Sequence, residues 1–196
     1  MKKIVSILLV AVMMLLLASC QPAGDTDIST YKNALSATDS KEIVVSAKYT
    51  SLAFTDIELE SEYTVTLLED GSATVEFWYD VLNDSSSDST DLITRHPGSA
   101  TIAANGTVSG DDLPASVTAG AKISFNLDQS KFKSMNEAHG ILTAEILSAN
   151  TEAVLGFKVD ADVTLTLRIT NDGKLGSASI AYATESENVS ISILYN

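Results

Sequence analysis

The sequence predicts a mainly β protein: a single antiparallel β domain, built as an open half-barrel or a β-sandwich, with one or two short helices. Three observations carry this. Apolar and polar residues alternate with period two over most of the chain, the mark of half-buried strands. Gly-containing turns separate the alternating runs. Stretches with helical spacing are few and short.

The elements follow in order. Ser29 or Thr30 can start a short helix carrying Tyr31, Ala34 and Leu35. Ile43 to Tyr49 opens the strand series. Ile57, Leu59, Tyr63, Val65 and Leu67 then alternate with Glu58, Glu60, Glu62, Thr64 and Thr66. Glu69-Asp70-Gly71-Ser72 turns the chain, and Ala73, Val75, Phe77, Tyr79 and Val81 resume the pattern, so a hairpin is expected here. Trp78 falls on the polar parity, which calls for a covering layer or a partner. Asn83 to Asp91 reads as a solvated loop, and Arg95-His96-Pro97-Gly98 as a turn. Ala100 to Val108 forms a second tight hairpin around Asn105-Gly106. Ile123, Phe125 and Leu127 alternate. Ser130 to His139, holding Phe132 and Met135 before Gly140, reads as a second helix. Leu142, Ala144 and Ile146 form a strand. One parity is then kept for 17 residues, from Ala153 through Leu155, Phe157, Val159, Ala161, Val163, Leu165 and Leu167 to Ile169. A bend near Val159-Asp160-Ala161-Asp162 is expected to divide it. Asn171-Asp172-Gly173 turns into a strand with Ala178, Ile180 and Tyr182, and Val189, Ile191, Ile193 and Tyr195 close the chain.

The N-terminus has a different character. Lys2 and Lys3 precede an apolar run, Ile4 to Ala18, broken only by Ser6 and ending in Leu17-Ala18-Ser19-Cys20. The run is short of the ~20 apolar residues of a spanning helix and has the plan of a signal peptide. Leu-Ala-Ser-Cys resembles the lipobox of bacterial lipoproteins. The resemblance implies cleavage before Cys20, lipidation of its thiol and acylation of the new amine, holding the chain on a membrane. One acyl chain anchors only marginally, at about 0.8 kcal/mol per buried CH₂; lipoproteins of this class carry two or three. The expected organisation is a signal peptide over 1–19, the lipidated Cys20 with a polar linker over 20–30, and the β domain over 31–196. The location implied is extracytoplasmic, in the cell envelope. Gln21 after the cysteine permits outer-membrane sorting in a Gram-negative cell. Extended, residues 21–30 reach about 30–35 Å.

Composition narrows the rest. Cys20 is the sole cysteine, so no intramolecular disulfide and no thiolate cluster can form. The net charge is −14, from 12 Lys and Arg against 26 Asp and Glu. Losing Lys2 and Lys3 with the signal takes it to −16. Such a chain has no electrostatic route to a phosphate backbone, which excludes nucleic acid as a partner.

Chemistry-bearing motifs are scarce. Two histidines, His96 and His139, stand in expected loops, and nothing in their spacing with Glu137 favours a zinc site. No serine-hydrolase elbow or His-Glu-x-x-His appears. Asn83, Asp84, Asp88 and Asp91, or Asp160 and Asp162, could offer oxygens to calcium, without matching a calcium loop. No cofactor, metal or enzymatic activity is expected.

A lipobox, a polar linker, an opening helix and long amphipathic strands together resemble the LolA and LppX group of lipoprotein and lipid carriers, in architecture over about residues 30–196. That resemblance implies an incomplete barrel around an apolar cavity and a hydrophobic small molecule or lipid as ligand. Phe77, Tyr79, Phe125 and Phe157 are the lining candidates by parity. The alternative is a packed β-sandwich serving surface adhesion or envelope structure. A transmembrane barrel would need large apolar residues and aromatic girdles on the outward face, and aromatics make up only 6% of the chain.

Overall fold

The computed structural model describes residues 21–22, 27–52, 57–82, 92–121 and 125–196. Cys20 and the rest of the signal segment, the Asn83 to Asp91 stretch with its candidate calcium ligands, and Ile123 lie outside the described residues.

Eleven strands form one antiparallel sheet, with three short helices against it. In chain order they are β1 (Gln21–Pro22), α1 (Ser29–Ala37), β2 (Glu42–Ser51), β3 (Glu58–Leu67), β4 (Ala73–Leu82), β5 (Ile93–Ile102) and β6 (Val108–Gly110). There follow α2 (Ala115–Ala121), β7 (Phe132–Ala138), β8 (Ile141–Ile146), α3 (Thr151–Leu155), β9 (Val163–Ile169), β10 (Leu175–Ala183) and β11 (Glu187–Tyr195). The spatial order is β1-β7-β8-β9-β10-β11-β2-β3-β4-β5-β6. Two meanders, β2–β6 and β7–β11, are therefore joined edge to edge where β11 pairs with β2 over nine residues, Glu187↔Ser51 to Tyr195↔Ile43. The sheet is open, and a single sheet replaces the two of a sandwich.

Alternation determines which side is covered. Val45 faces Tyr63 across β2–β3, Val65 faces Val75 across β3–β4, and Ile180 faces both Leu165 and Ile191, all buried on one face. Burying each such side chain contributes about 1.5–3 kcal/mol. Tyr31 and Ala34 of α1, Val117 and Ala121 of α2, and Val154 and Leu155 of α3 complete this core. Helix α2 packs Gly120 toward Ile193 and Val45, where a Cβ would make ordinary contacts at 3.4 and 3.6 Å. The opposite face carries Glu58, Glu60 and Glu62, with Lys48 bridging Glu58 (2.6 Å) and Glu60 (2.7 Å). No helix of the described residues is long and apolar enough to cross a membrane.

Most expected elements form, including both hairpins and the opening helix. Four expectations are corrected. Ser130 to His139 is strand β7, not a helix. A register shift between Phe132 and Ser134 lets Phe132 and Met135 both point inward although three residues apart. A β-bulge thus imitates helical spacing. His139 (φ 54°) and Gly140 (φ 75°) then form the two-residue turn into β8. The long run from Ala153 to Ile169 does divide near Asp160, but its first part is α3 rather than strand. Gly156 (φ 81°) ends that helix in the left-handed region. Thr151 Oγ1 accepts the Val159 amide proton (3.0 Å) and lies 3.1 Å from Val159 O and 3.0 Å from Ser148 O, tying the loop back onto the helix. Arg95 to Gly98 lies within β5 and is not a turn. Phe125 and Leu127 sit in an irregular segment after α2, not in a strand.

Candidate functional site

Helices α1, α2 and α3 leave one end of the apolar face uncovered, over β3, β4 and β5. There Tyr79 is 38% and Val81 40% exposed, although both have the buried parity of β4. A pocket of about 640 Å³ opens at this end. Tyr63, Phe77, Tyr79, His96, Pro97 and Gly98 line it from the sheet, and Asp111 to Pro114, the segment entering α2, form the other wall.

Strand register builds an aromatic row. Tyr63 faces Phe77 and Tyr79 faces His96 across adjacent strands. Ring centroids lie 5.2 Å apart for Tyr63–Phe77, 6.2 Å for Phe77–Tyr79 and 5.6 Å for Tyr79–His96, at interplanar angles of 25–27°. This is offset-stacking geometry. Gly98, opposite Phe77, makes the row possible: a Cβ there would fall 2.4 Å from Phe77 ring carbons. Burial pushes the Tyr63 hydroxyl pKa up, partly offset by the nearby Ser61 hydroxyl.

The rim is acidic. Gly110 (φ 101°) turns the chain out of β6, and Asp111 returns to β5. Its amide donates to Ser99 O (3.1 Å) and its Oδ2 accepts from the Ser99 amide (2.9 Å). Beyond the three residues of β6, β5 is the sheet edge. Pro97, which has no N–H, and the Asp111 carboxylate on Ser99 both blunt that edge. Asp112 stands beside Asp111, and no Lys or Arg is among the ten lining residues.

Of the four lining candidates, the structure brings Phe77 and Tyr79 together. Phe125 lines a separate surface pocket with Lys32, Leu35 and Leu127, and Phe157 packs half-buried against the core beyond α3. Neither approaches the aromatic row. Sequence reasoning missed His96, read as part of a turn, and Asp111 and Asp112, whose role depends on a loop that no motif marks.

Other candidate chemistry disperses. His96 is stacked on Tyr79 and His139 is in the β7–β8 turn. Glu137 takes the Tyr31 hydroxyl proton (3.3 Å) and the Gly140 amide proton (3.2 Å). Asp160 pairs with Lys158 (2.6 Å), and Asp162 accepts from the Ser148 amide (3.0 Å). No cluster of three or more metal-ligating side chains occurs among the described residues. Trp78, on the polar face, is covered by a side chain rather than by a layer: the Arg95 guanidinium carbon lies 3.5 Å from its ring centroid. Arg95 is held there by Asp80, at 2.8 and 3.1 Å.

No family model and no curated protein matches the chain. Among solved structures it is similar to LprF from Mycobacterium bovis, at 14% identity and a TM-score of 0.42, over 84% of this chain and 89% of that one. It is also similar to the S-type phycobiliprotein lyase CPES from Guillardia theta, at 6% identity and a TM-score of 0.33, over 89% of this chain and 95% of that one. A third is the dehydratase domain of the CurF module of curacin polyketide synthase, at 12% identity and a TM-score of 0.24, over 91% and 86%. All three likenesses are distant in sequence and in shape.

Proposed function

We propose that this protein is a lipid-anchored, extracytoplasmic, non-enzymatic binding protein that holds a hydrophobic small molecule or lipid over the aromatic row. The observation that carries the binding role is the uncovered end of the apolar face, where Tyr63, Phe77 and Tyr79 line about 640 Å³ of open space. That volume falls in the ~300–1,000 Å³ range of ligand pockets. The anchor and the location rest on the signal-like segment ending in Cys20.

Native mass spectrometry of the full chain, ejected from non-ionic detergent micelles, tests the binding role. A retained apolar molecule is expected, and Tyr79→Asp is expected to lose it. A bare mass for both proteins, with no uptake of added lipid, would favour an adhesive or structural envelope domain instead. For the anchor, labelling of cells with an alkynyl palmitate analogue is expected to mark the chain, and Cys20→Ser to abolish the label.

A further inference from the structure

We infer that the pocket selects a positively charged ligand, an organic cation or amphiphile whose cationic head rests on the aromatic row; this builds on the binding role proposed above. Two features converge. Each π face carries negative electrostatic potential, and a cation within about 6 Å of a ring centroid is attracted to it. Tyr79, 38% exposed, borders the open end of the pocket beside the rings of Phe77 and His96. The facing wall then supplies charge of the same preference. Asp111 and Asp112 enter it from the loop before α2, and no lining residue is a Lys or Arg. Asp111 Oδ2 is committed to the Ser99 amide at 2.9 Å, which fixes the carboxylate in place at the rim.

The same features disfavour an anion. A fatty-acid carboxylate or a phosphate head would meet two carboxylates, and among the described lining residues it would find no Lys or Arg, His96 being the one basic ring there. The surrounding chain adds to this, because 26 acidic residues against 12 basic ones give a field that concentrates cations. A cationic head on the row leaves the apolar part of the ligand to Leu113 and Pro114 on the facing wall.

Isothermal titration of the full chain in non-ionic micelles, with three benzyl probes of different charge, tests the inference. The probes are benzyltrimethylammonium, benzyl alcohol and phenylmethanesulfonate. Benzyltrimethylammonium is expected to bind about tenfold tighter than benzyl alcohol, and phenylmethanesulfonate weakest. Raising salt should weaken the cation and leave the alcohol unchanged. Asp112→Asn, which spares the Asp111–Ser99 contacts, should shrink the cation's advantage several-fold. Equal or tighter binding of the alcohol or the sulfonate overturns the cation preference while leaving a hydrophobic pocket standing. If all three fail to bind and native mass spectrometry gives a bare mass, the binding role falls with it.

Discussion

The ring of Phe77 lies directly over the backbone of Gly98 on the neighbouring strand, so closely that a Cβ at 98 would come within 2.4 Å of it. The glycine is an inward position left empty so that the ring can lie flat and continue the row toward Tyr79. Gly98→Ala must therefore rotate Phe77 or part the strands. Thermal unfolding of the variant should show a loss of about 1–3 kcal/mol, and any ligand held by the native chain should be lost from its mass spectrum. An unchanged melting profile with ligand retained would show that the row tolerates displacement.

A second expectation concerns acid. Arg95 holds the Asp80 carboxyl below the usual carboxylate range, helped by the Glu60 amide and opposed by burial. A lowered folded pKa means the folded state binds the proton more weakly than the unfolded chain does. The stabilisation is thus present above the ordinary value of ~3.9 and drains away as pH falls through the folded value. Denaturant titrations from pH 6 to 2 should show a steeper acid loss for the native chain than for Asp80→Asn. Arg95→Ala should uncover Trp78 and shift its emission to longer wavelength.

Alkali works in the opposite direction. Burial pushes the Tyr49 hydroxyl up to about 12 and raises those of Tyr31 and Tyr195 as well. These groups favour the proton more when folded. Their contribution is complete below the unfolded value of ~10 and is lost as pH rises through the folded values. Stability should decline from about pH 10 upward, and phenolate absorbance should appear together with unfolding rather than ahead of it.

Two buried hydroxyls should respond oppositely to removal. Thr151 Oγ1 is shared among Val159 and Ser148 backbone groups, so Thr151→Val strands the Val159 amide and should cost about 1–3 kcal/mol. Tyr195 OH is buried with no hydrogen-bond partner among the described residues, and Tyr195→Phe should be neutral or slightly stabilising by urea denaturation. A large loss in Tyr195→Phe would reveal a hydrogen bond to that hydroxyl.

Strand identity was legible wherever side chains kept strict alternation beside a glycine turn, as in Ile57 to Val81. It failed where local chemistry imitated another period. The bulge after Phe132 produced a spacing of three, and α3 with its loop happened to hold apolar residues at odd positions. Pro97-Gly98 read as a turn because proline is rare in strands, yet an edge strand accepts it. Parity groups Phe77 and Tyr79 on one face because both lie on β4, whereas Phe125 and Phe157 lie outside strands, where parity says nothing about facing. The acidic wall was not legible, since the position of Asp111 depends on a tertiary contact with Ser99.

The seam between β11 and β2 sets an order on how the molecule can mature. The last strand of the chain supplies the partner for one of the first, across more than a hundred intervening residues. Until β11 has emerged, β2 presents an unpaired edge and an apolar face with Ile43 and Val45 on it. Contacts so distant along the chain close slowly, and exposed strand edges invite aggregation. A chain threaded across a membrane from its N-terminus would thus emerge with its first meander unprotected at that edge. Holding it apart from its neighbours until the final nine residues arrive becomes a requirement of secretion.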